Sequence, residues 1–99
     1  MKNVFLGNAF SLQMLDSNVQ VVDLHIEKVD TLPDVNTMTS VVGHPDTAAV
    51  LGVACNRVSL KLDKGDVLYV AQLVGGRLPE GCTTLPEGFR FVYYKVEIV

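Results

Sequence analysis

The feature of the sequence that most constrains the fold is residues 67–74, VLYVAQLV, in which Gln72 is the one polar residue. A strand without polar and apolar alternation has both faces covered, so it lies in the interior of a sheet. Residues 90–99, RFVYYKVEIV, are rich in aromatic and β-branched residues, which predicts a second strand. We therefore expect a sheet with residues 67–74 at its centre.

Alternation with period two predicts further strands. Residues 3–7, NVFLG, form a short candidate, and residues 19–29 form a longer one. In the longer strand we expect the apolar side chains to face the core and the polar ones to face solvent. The apolar set is Val22, Leu24 and Ile26, and the polar set is Asp23, His25 and Glu27.

Residues 57–63, RVSLKLD, alternate in the same way. The turn at residues 63–66 contains Gly65, which predicts an antiparallel hairpin between residues 57–63 and 67–74. We expect Val58, Leu60 and Leu62 in the core, and Arg57, Ser59 and Lys61 on the outside.

A helix of about ten residues is expected to begin at Pro45, because proline is favoured at the first helical position. His44 then lies at or near the N-cap. The stripe that would face the core is Thr47, Val50, Leu51 and Ala54. We also expect one or two helical turns within residues 9–15, and a loop with a short helix near residues 35–42.

Together these elements predict one α/β (α+β) domain. It has a mixed sheet of about five strands and two or three short helices. The chain has 99 residues, of which 48% are hydrophobic, enough for a core. Domains of this size are often marginally stable alone, and one face of the sheet is available for a partner subunit.

Composition excludes several classes of protein. The formal net charge of −3 argues against non-specific binding of duplex nucleic acid, although it allows a local basic pocket for a small anion. No apolar run approaches the roughly 20 residues of a membrane span, and no signal peptide is recognisable. Cys55 and Cys82 form no CxxC motif and no zinc-site spacing. We expect a cytoplasmic protein with reduced thiols and neither metal nor cofactor.

His44 is the most informative candidate for chemistry. Free N–H groups at the start of a helix attract anions, and imidazole transfers protons near neutral pH. His44 can therefore contact a phosphate and protonate a leaving oxygen. The alternative is a histidine that only caps the helix.

Other polar residues stand where ligands commonly bind. Arg77 and Glu80 lie in the glycine-rich loop after the central strand, where arginine suits bidentate phosphate recognition. Arg57 extends this basic character, and Asn8 and Ser11 flank the first strand-to-helix junction. Each has a plainer interpretation. Arg77 and Glu80 can form a solvated ion pair, and Arg57 can lie on a solvated strand face. The Asn8–Ser11 junction can simply cap a helix.

The sequence contains no GxxxxGK[ST], GxSxG or HExxH motif. Cleavage of RNA needs none of these motifs, because the substrate's own 2′-hydroxyl can attack the adjacent phosphorus. The enzyme then positions the substrate, stabilises charge and protonates the leaving 5′-oxygen. A histidine, one or two arginines and a few N–H donors suffice.

Four motifs occur in order along the chain: NAFS at 8–11, VGHxxT at 42–47, NR at 56–57 and GRLPEG at 76–81. With them, the sequence resembles the type III anti-CRISPR ring nucleases, small proteins of archaeal viruses, bacteriophages and integrative elements. The resemblance spans essentially the whole chain. It implies a homodimer that binds cyclic tetra-adenylate in a pocket formed by both subunits, under a mobile loop.

The resemblance also implies residue roles. His44 would be the general acid, with Arg77 and Glu80 as further catalytic residues. Cleavage would give linear di-adenylates, initially with a 2′,3′-cyclic phosphate end, and would need no metal or cofactor. The residues implied to contact the ligand are Asn8, Ser11, Asp46, Thr47, Arg57 and Gln72.

Two other functions remain open at this stage. One is a non-catalytic protein that sequesters a cyclic oligonucleotide in the same pocket. The other is a module that binds a host protein and has no nucleotide site, in which case His44 and Arg77 would be incidental.

Overall fold

Strand β4 (Val67–Val74) lies in the middle of a five-stranded mixed sheet, as its two apolar faces predict. It pairs antiparallel with β5 (Arg90–Ile98) and parallel with β1 (Val4–Gly7). The outer strands are β2 (Leu24–Val29), antiparallel to β5, and β3 (Thr39–Ser40), parallel to β1. The sheet order is therefore β2-β5-β4-β1-β3.

The computed structural model describes residues 3–17, 19–58 and 60–99. Among these residues there is one α-helix, α1 (Pro45–Leu51), and the remaining helical turns are of the 3-10 type. The predicted α+β class and the five-stranded mixed sheet are confirmed. The 3-10 turns are Leu12–Met14, Val21–Asp23 and Val35–Thr37.

The core has two parts, one on each face of the sheet. On one face α1 covers the sheet, and its Ala48 packs with Leu6, Val42 and Ala71. On the other face the connections that carry Val19 and Leu62 cover the sheet. They pack with Leu68, Val70, Val96 and Ile98. Both faces of β4 are thus covered over residues 67–71, which explains why this strand has no polar face, and the one polar residue, Gln72, is exposed.

Helix α1 begins as expected and ends early. Pro45 occupies the first turn and His44 is the N-cap. The helix ends at Leu51 because Gly52 adopts the left-handed conformation, with φ 74° and ψ 31°. The N–H groups of Gly52 and Val53 then bond to the carbonyls of the last turn. The predicted length of about ten residues was therefore wrong, and Ala54 lies outside the helix.

The predicted hairpin between residues 57–63 and 67–74 is absent from the described part of the chain. Both edges of β4 are occupied, by β1 and β5. Leu62 instead forms an isolated bridge with Leu15, and it is fully buried as expected. Val58 is 53% exposed, contrary to the prediction. The expected orientation of Ser59 lies outside the described residues.

The apolar face predicted for residues 19–29 is only partly correct. Residues 24–29 form a strand, but Val22 lies in the preceding 3-10 turn and is 83% exposed. Ile26 is half exposed because β2 is the edge strand. Leu24 does pack against the core. The short helix expected near residues 35–42 is present as the 3-10 turn Val35–Thr37. The strand β3 that follows it was not predicted, because two residues show no periodicity.

Gly75 ends β4 in a conformation that only glycine adopts easily, with φ 120°. A Cβ there would lie 2.8 Å from the carbonyl oxygen of Gly88. We predict that Gly75→Ala lowers the free energy of unfolding by about 3 kcal/mol or more, since strain and overlap act together. Chemical denaturation measures the change.

The matched control is Gly52→Ala. Gly52 is also left-handed, but apart from its two chain neighbours no residue has an atom within 4 Å of the position that a Cβ would occupy there. Its cost should be about 1–2 kcal/mol, from backbone strain alone. Equal costs for the two variants would contradict the close packing of Gly75 against Gly88.

Candidate functional site

Three parallel strands lead directly into the predicted motifs. Asn8 follows β1, the segment that carries His44 follows β3, and the loop that carries Arg77 follows β4. The carboxyl ends of neighbouring parallel strands meet at one edge of a sheet, where ligands commonly bind. The topology therefore gathers three motifs that are far apart in the sequence.

The imidazole of His44 caps α1. Its Nδ1 accepts a hydrogen bond from the backbone N–H of Thr47 at 3.3 Å, and Thr47 Oγ1 lies 3.3 Å from the same nitrogen. Because Nδ1 acts as an acceptor, the neutral ring carries its proton on Nε2. The side chain is exposed, so Nε2 is the ring atom available to a ligand.

Arg57 is tied to the residue that precedes His44. Its Nε donates to the carbonyl oxygen of Gly43 at 2.6 Å. A Cβ at Gly43 would lie 3.2 Å from Arg57 Cγ, so the absence of a side chain lets the arginine stem cross the backbone closely. With Nε engaged, the terminal nitrogens of the guanidinium remain as donors for an anion.

Asn8, His44 and Arg57 line one open cleft of about 560 Å³. Its other walls are Val41, Gly43 and Val58. The cleft thus brings together one residue from each of three predicted motifs: NAFS, VGHxxT and NR.

Two further clefts adjoin this one. Asn8 also borders a cleft of about 310 Å³ that contains Gln72, Phe10 and Tyr94. Val58 also borders a cleft of about 290 Å³ that contains Ser11 and Lys61. Sequence reasoning did not predict Phe10 or Tyr94 as site residues, since each fits equally well in a core. Only the tertiary structure identifies them as candidate site residues, because it places both beside Gln72 at the same cleft.

The loop after β4 contacts the first turn of α1. The backbone N–H of Gly81 donates to Asp46 Oδ2 at 3.1 Å, and Leu78 is buried. The loop that carries Arg77 and Glu80 is therefore attached to the helix that His44 caps. Both side chains are exposed, and neither is among the described residues that line the His44 cleft.

Asp46 and Thr47 have structural partners of their own. The Asp46 carboxylate accepts from Gly81, and Thr47 is buried with its N–H bonded to His44. Their expected contact with a ligand stays a prediction. Since Asp46 joins α1 to the loop, it also determines where Arg77 and Glu80 can lie.

A family model described as STIV B116-like matches residues 4–96. The chain belongs to the STIV B116-like family. Among solved structures it is similar to B116 of Sulfolobus turreted icosahedral virus, with 25% sequence identity and a TM-score of 0.73. The alignment covers 96% of this chain and 98% of that one. No curated protein matches the chain significantly.

The residues matched by the family model, 4–96, include all four motifs. Within residues 3–17, 19–58 and 60–99, no three or more His, Cys, Asp or Glu side chains are grouped as metal ligands would be. Over the same residues, no helix has the length and apolar character needed to cross a bilayer.

Asp46 gives a direct test of the contact between α1 and the loop. We predict that Asp46→Ala exposes the Gly81 amide and accelerates its hydrogen exchange about three- to tenfold, the value of one net hydrogen bond. Asp46→Asn keeps an acceptor oxygen and should leave the exchange close to wild type. Heteronuclear NMR measures both rates. If the Gly81 amide exchanged at the wild-type rate in Asp46→Ala, that result would contradict its hydrogen bond to Asp46.

Proposed function

We propose that this STIV B116-like protein is a metal-independent ring nuclease that cleaves cyclic tetra-adenylate. The observation that carries the proposal is the convergence of His44, Arg57 and Asn8 in one cleft. The Arg77–Glu80 loop is attached to the same helix start through Gly81 and Asp46. An acid, a basic group and an amide at an open cleft suit a phosphodiester.

The chemistry needs only protein groups. The ribose 2′-oxygen attacks the adjacent phosphorus, and its proton passes to Glu80. The bond from phosphorus to the 5′-oxygen breaks, and that oxygen takes the Nε2 proton of His44, which acts in this step as the imidazolium and is left neutral. The imidazolium also carries a proton on Nδ1, for which Thr47 Oγ1, 3.3 Å away, is an acceptor. Arg57 and Arg77 stabilise the charge that develops on the phosphoryl oxygens. The product ends are a 2′,3′-cyclic phosphate and a 5′-hydroxyl.

The neighbouring cleft supplies the specificity for adenine in this proposal. Phe10 and Tyr94 offer aromatic surface on which a base can stack, and such contacts tolerate any base. The amides of Asn8 and Gln72 can pair with the polar edge of adenine, as amide side chains do elsewhere. Ser11 and Lys61, in the third cleft, extend the contact toward another phosphate.

A homodimer completes the proposal. Two-fold symmetry presents each site twice, which matches a ring of repeating units. Two cuts on opposite sides of the ring give two linear di-adenylates. The relationship to a virus protein favours a role in which the messenger of type III CRISPR systems is destroyed, an anti-CRISPR activity in the host cytoplasm.

The direct test is a cleavage assay with labelled cyclic tetra-adenylate in excess EDTA. We expect complete conversion to linear di-adenylates, because no step requires a metal ion. Rings of three and six adenylates serve as the specificity controls. Product analysis by chromatography and mass spectrometry identifies the ends.

Each other result has a clear meaning. An intact ring that nevertheless raises the melting temperature of the protein would replace the nuclease with a sequestering protein. An intact ring without any stabilisation would favour a module that binds a host protein.

Substitution of His44 separates proton transfer from helix capping. Asparagine is a good N-cap, so His44→Asn should keep the free energy of unfolding within about 0.5 kcal/mol of wild type. His44→Ala should lose about 1 kcal/mol. Both variants should lower the cleavage rate by about 10²- to 10⁴-fold, the usual value of a general acid, while ring binding persists.

Single-turnover kinetics and calorimetric titration give the rate and the affinity separately. Near-normal cleavage by His44→Asn would restrict His44 to its capping role. Loss of cleavage in His44→Ala alone would show that the cap, rather than the proton, is what matters.

A further inference from the structure

Residues 52–58 follow the end of α1 and form neither helix nor strand. This irregular segment contains Arg57. Two side chains join this segment to β3 and the residues that follow it. Ser40 Oγ donates to the carbonyl oxygen of Ala54 at 2.6 Å, and Asn56 Nδ2 donates to the carbonyl oxygen of Ser40 at 3.2 Å. Each residue therefore bonds across to the other segment. We call this pair of side chains the polar clasp.

Backbone bonds extend the same contact toward His44. The N–H of Asn56 donates to the carbonyl oxygen of Val42 at 2.8 Å. The N–H of Val42 donates to Ser40 Oγ at 3.4 Å, so the hydroxyl serves as both donor and acceptor. The next bond in the series joins Arg57 Nε to the carbonyl oxygen of Gly43. The contacts thus run from Ser40 to the residue beside His44.

We propose that Ser40 and Asn56 are positioning residues that act through Arg57, a step that rests on the function proposed above. The clasp aligns residues 54–57 with residues 40–43, and this alignment brings Arg57 Nε within reach of the Gly43 carbonyl. The bond at Nε then restricts the rotamers of the Arg57 side chain, and this restriction determines where the terminal guanidinium nitrogens lie. Without the clasp, the arginine must be ordered when the ligand binds.

The physical reason is the entropy of a long side chain on irregular backbone. An arginine loses much rotamer freedom when it is immobilised, and a preorganised one has lost it before the ligand arrives. In the proposed mechanism Arg57 stabilises charge that develops in the transition state, but it also contacts the phosphate in the ground state, and the contribution common to both states affects KM alone. Loss of its alignment should therefore raise KM more than it lowers kcat.

The first measurement needs no ligand. We expect Asn56→Ala to accelerate solvent exchange of the Arg57 Nε–H about three- to tenfold, since one hydrogen bond of the clasp is removed. Asn56→Asp keeps the size of the side chain but removes the donor, so it should accelerate the exchange of the Arg57 Nε–H as much as Asn56→Ala does. Cys55→Ser, at an exposed neighbouring position, is the matched control and should leave the exchange unchanged.

The second measurement uses cyclic tetra-adenylate. Asn56→Ala should raise KM about three- to tenfold with a smaller change in kcat. In an Arg57→Ala background the same substitution should have almost no further effect on KM, because the clasp acts through the arginine. Ser40→Thr keeps the hydroxyl, so its KM should stay close to that of the wild type. Ser40→Ala lacks the hydroxyl and should raise KM as much as Asn56→Ala does.

The outcomes distinguish the two proposals. Unchanged exchange of the Arg57 Nε–H in both Asn56 variants overturns the clasp, whether or not the ring is cleaved. Additive effects of Asn56→Ala and Arg57→Ala on KM also overturn it, since a general loss of loop stability would give that result. If wild-type protein leaves the ring intact, the nuclease fails, and the exchange measurement alone decides on the clasp.

Discussion

The pairing of β4 with β1 on one side and β5 on the other is the interaction on which the rest of the structure depends. It occupies both edges of β4 and so holds the strand where α1 can cover Ala71 on one face. On the other face, the connections that carry Val19 and Leu62 cover Leu68 and Val70. Because β1 is parallel to β4, and β3 is parallel to β1, three strands end at the same edge. Asn8, the His44 segment and the Arg77 loop all begin at that edge.

Local interactions then refine what the sheet places only approximately. Thr47 engages Nδ1 of His44, Gly43 accepts from Arg57, and Asp46 accepts from Gly81. Each of these is a side chain bonded to backbone. Such bonds orient a polar side chain without the high cost of burying charge, since all the ionic side chains among them remain at least partly exposed. The site is thus built at the surface, from loops on a rigid sheet.

Apolar surface remains open around the edge strand β2. Val22 and Ile26 were expected in the core because their alternation is regular, yet both are exposed. Alternation shows which side chains share a face, but it cannot show whether another element covers that face. Val58 shows the same limit of alternation. Residues 57–63 alternate as a strand would, but β4 cannot pair with them because both of its edges are already paired.

The sequence by itself determined the central strand, the final strand, the start of α1 at Pro45 and the capping position of His44, because each depends on local pattern or backbone preference. It also contained the stop at Gly52, a signal that the predicted helix length overlooked. Only the tertiary structure decided that β5 rather than residues 57–63 pairs with β4, and that Asn8, His44 and Arg57 share a cleft. The reason is physical: strand partners and shared clefts depend on contacts between residues far apart in the chain, and the favourable energy of those contacts exists only after the whole sheet has assembled.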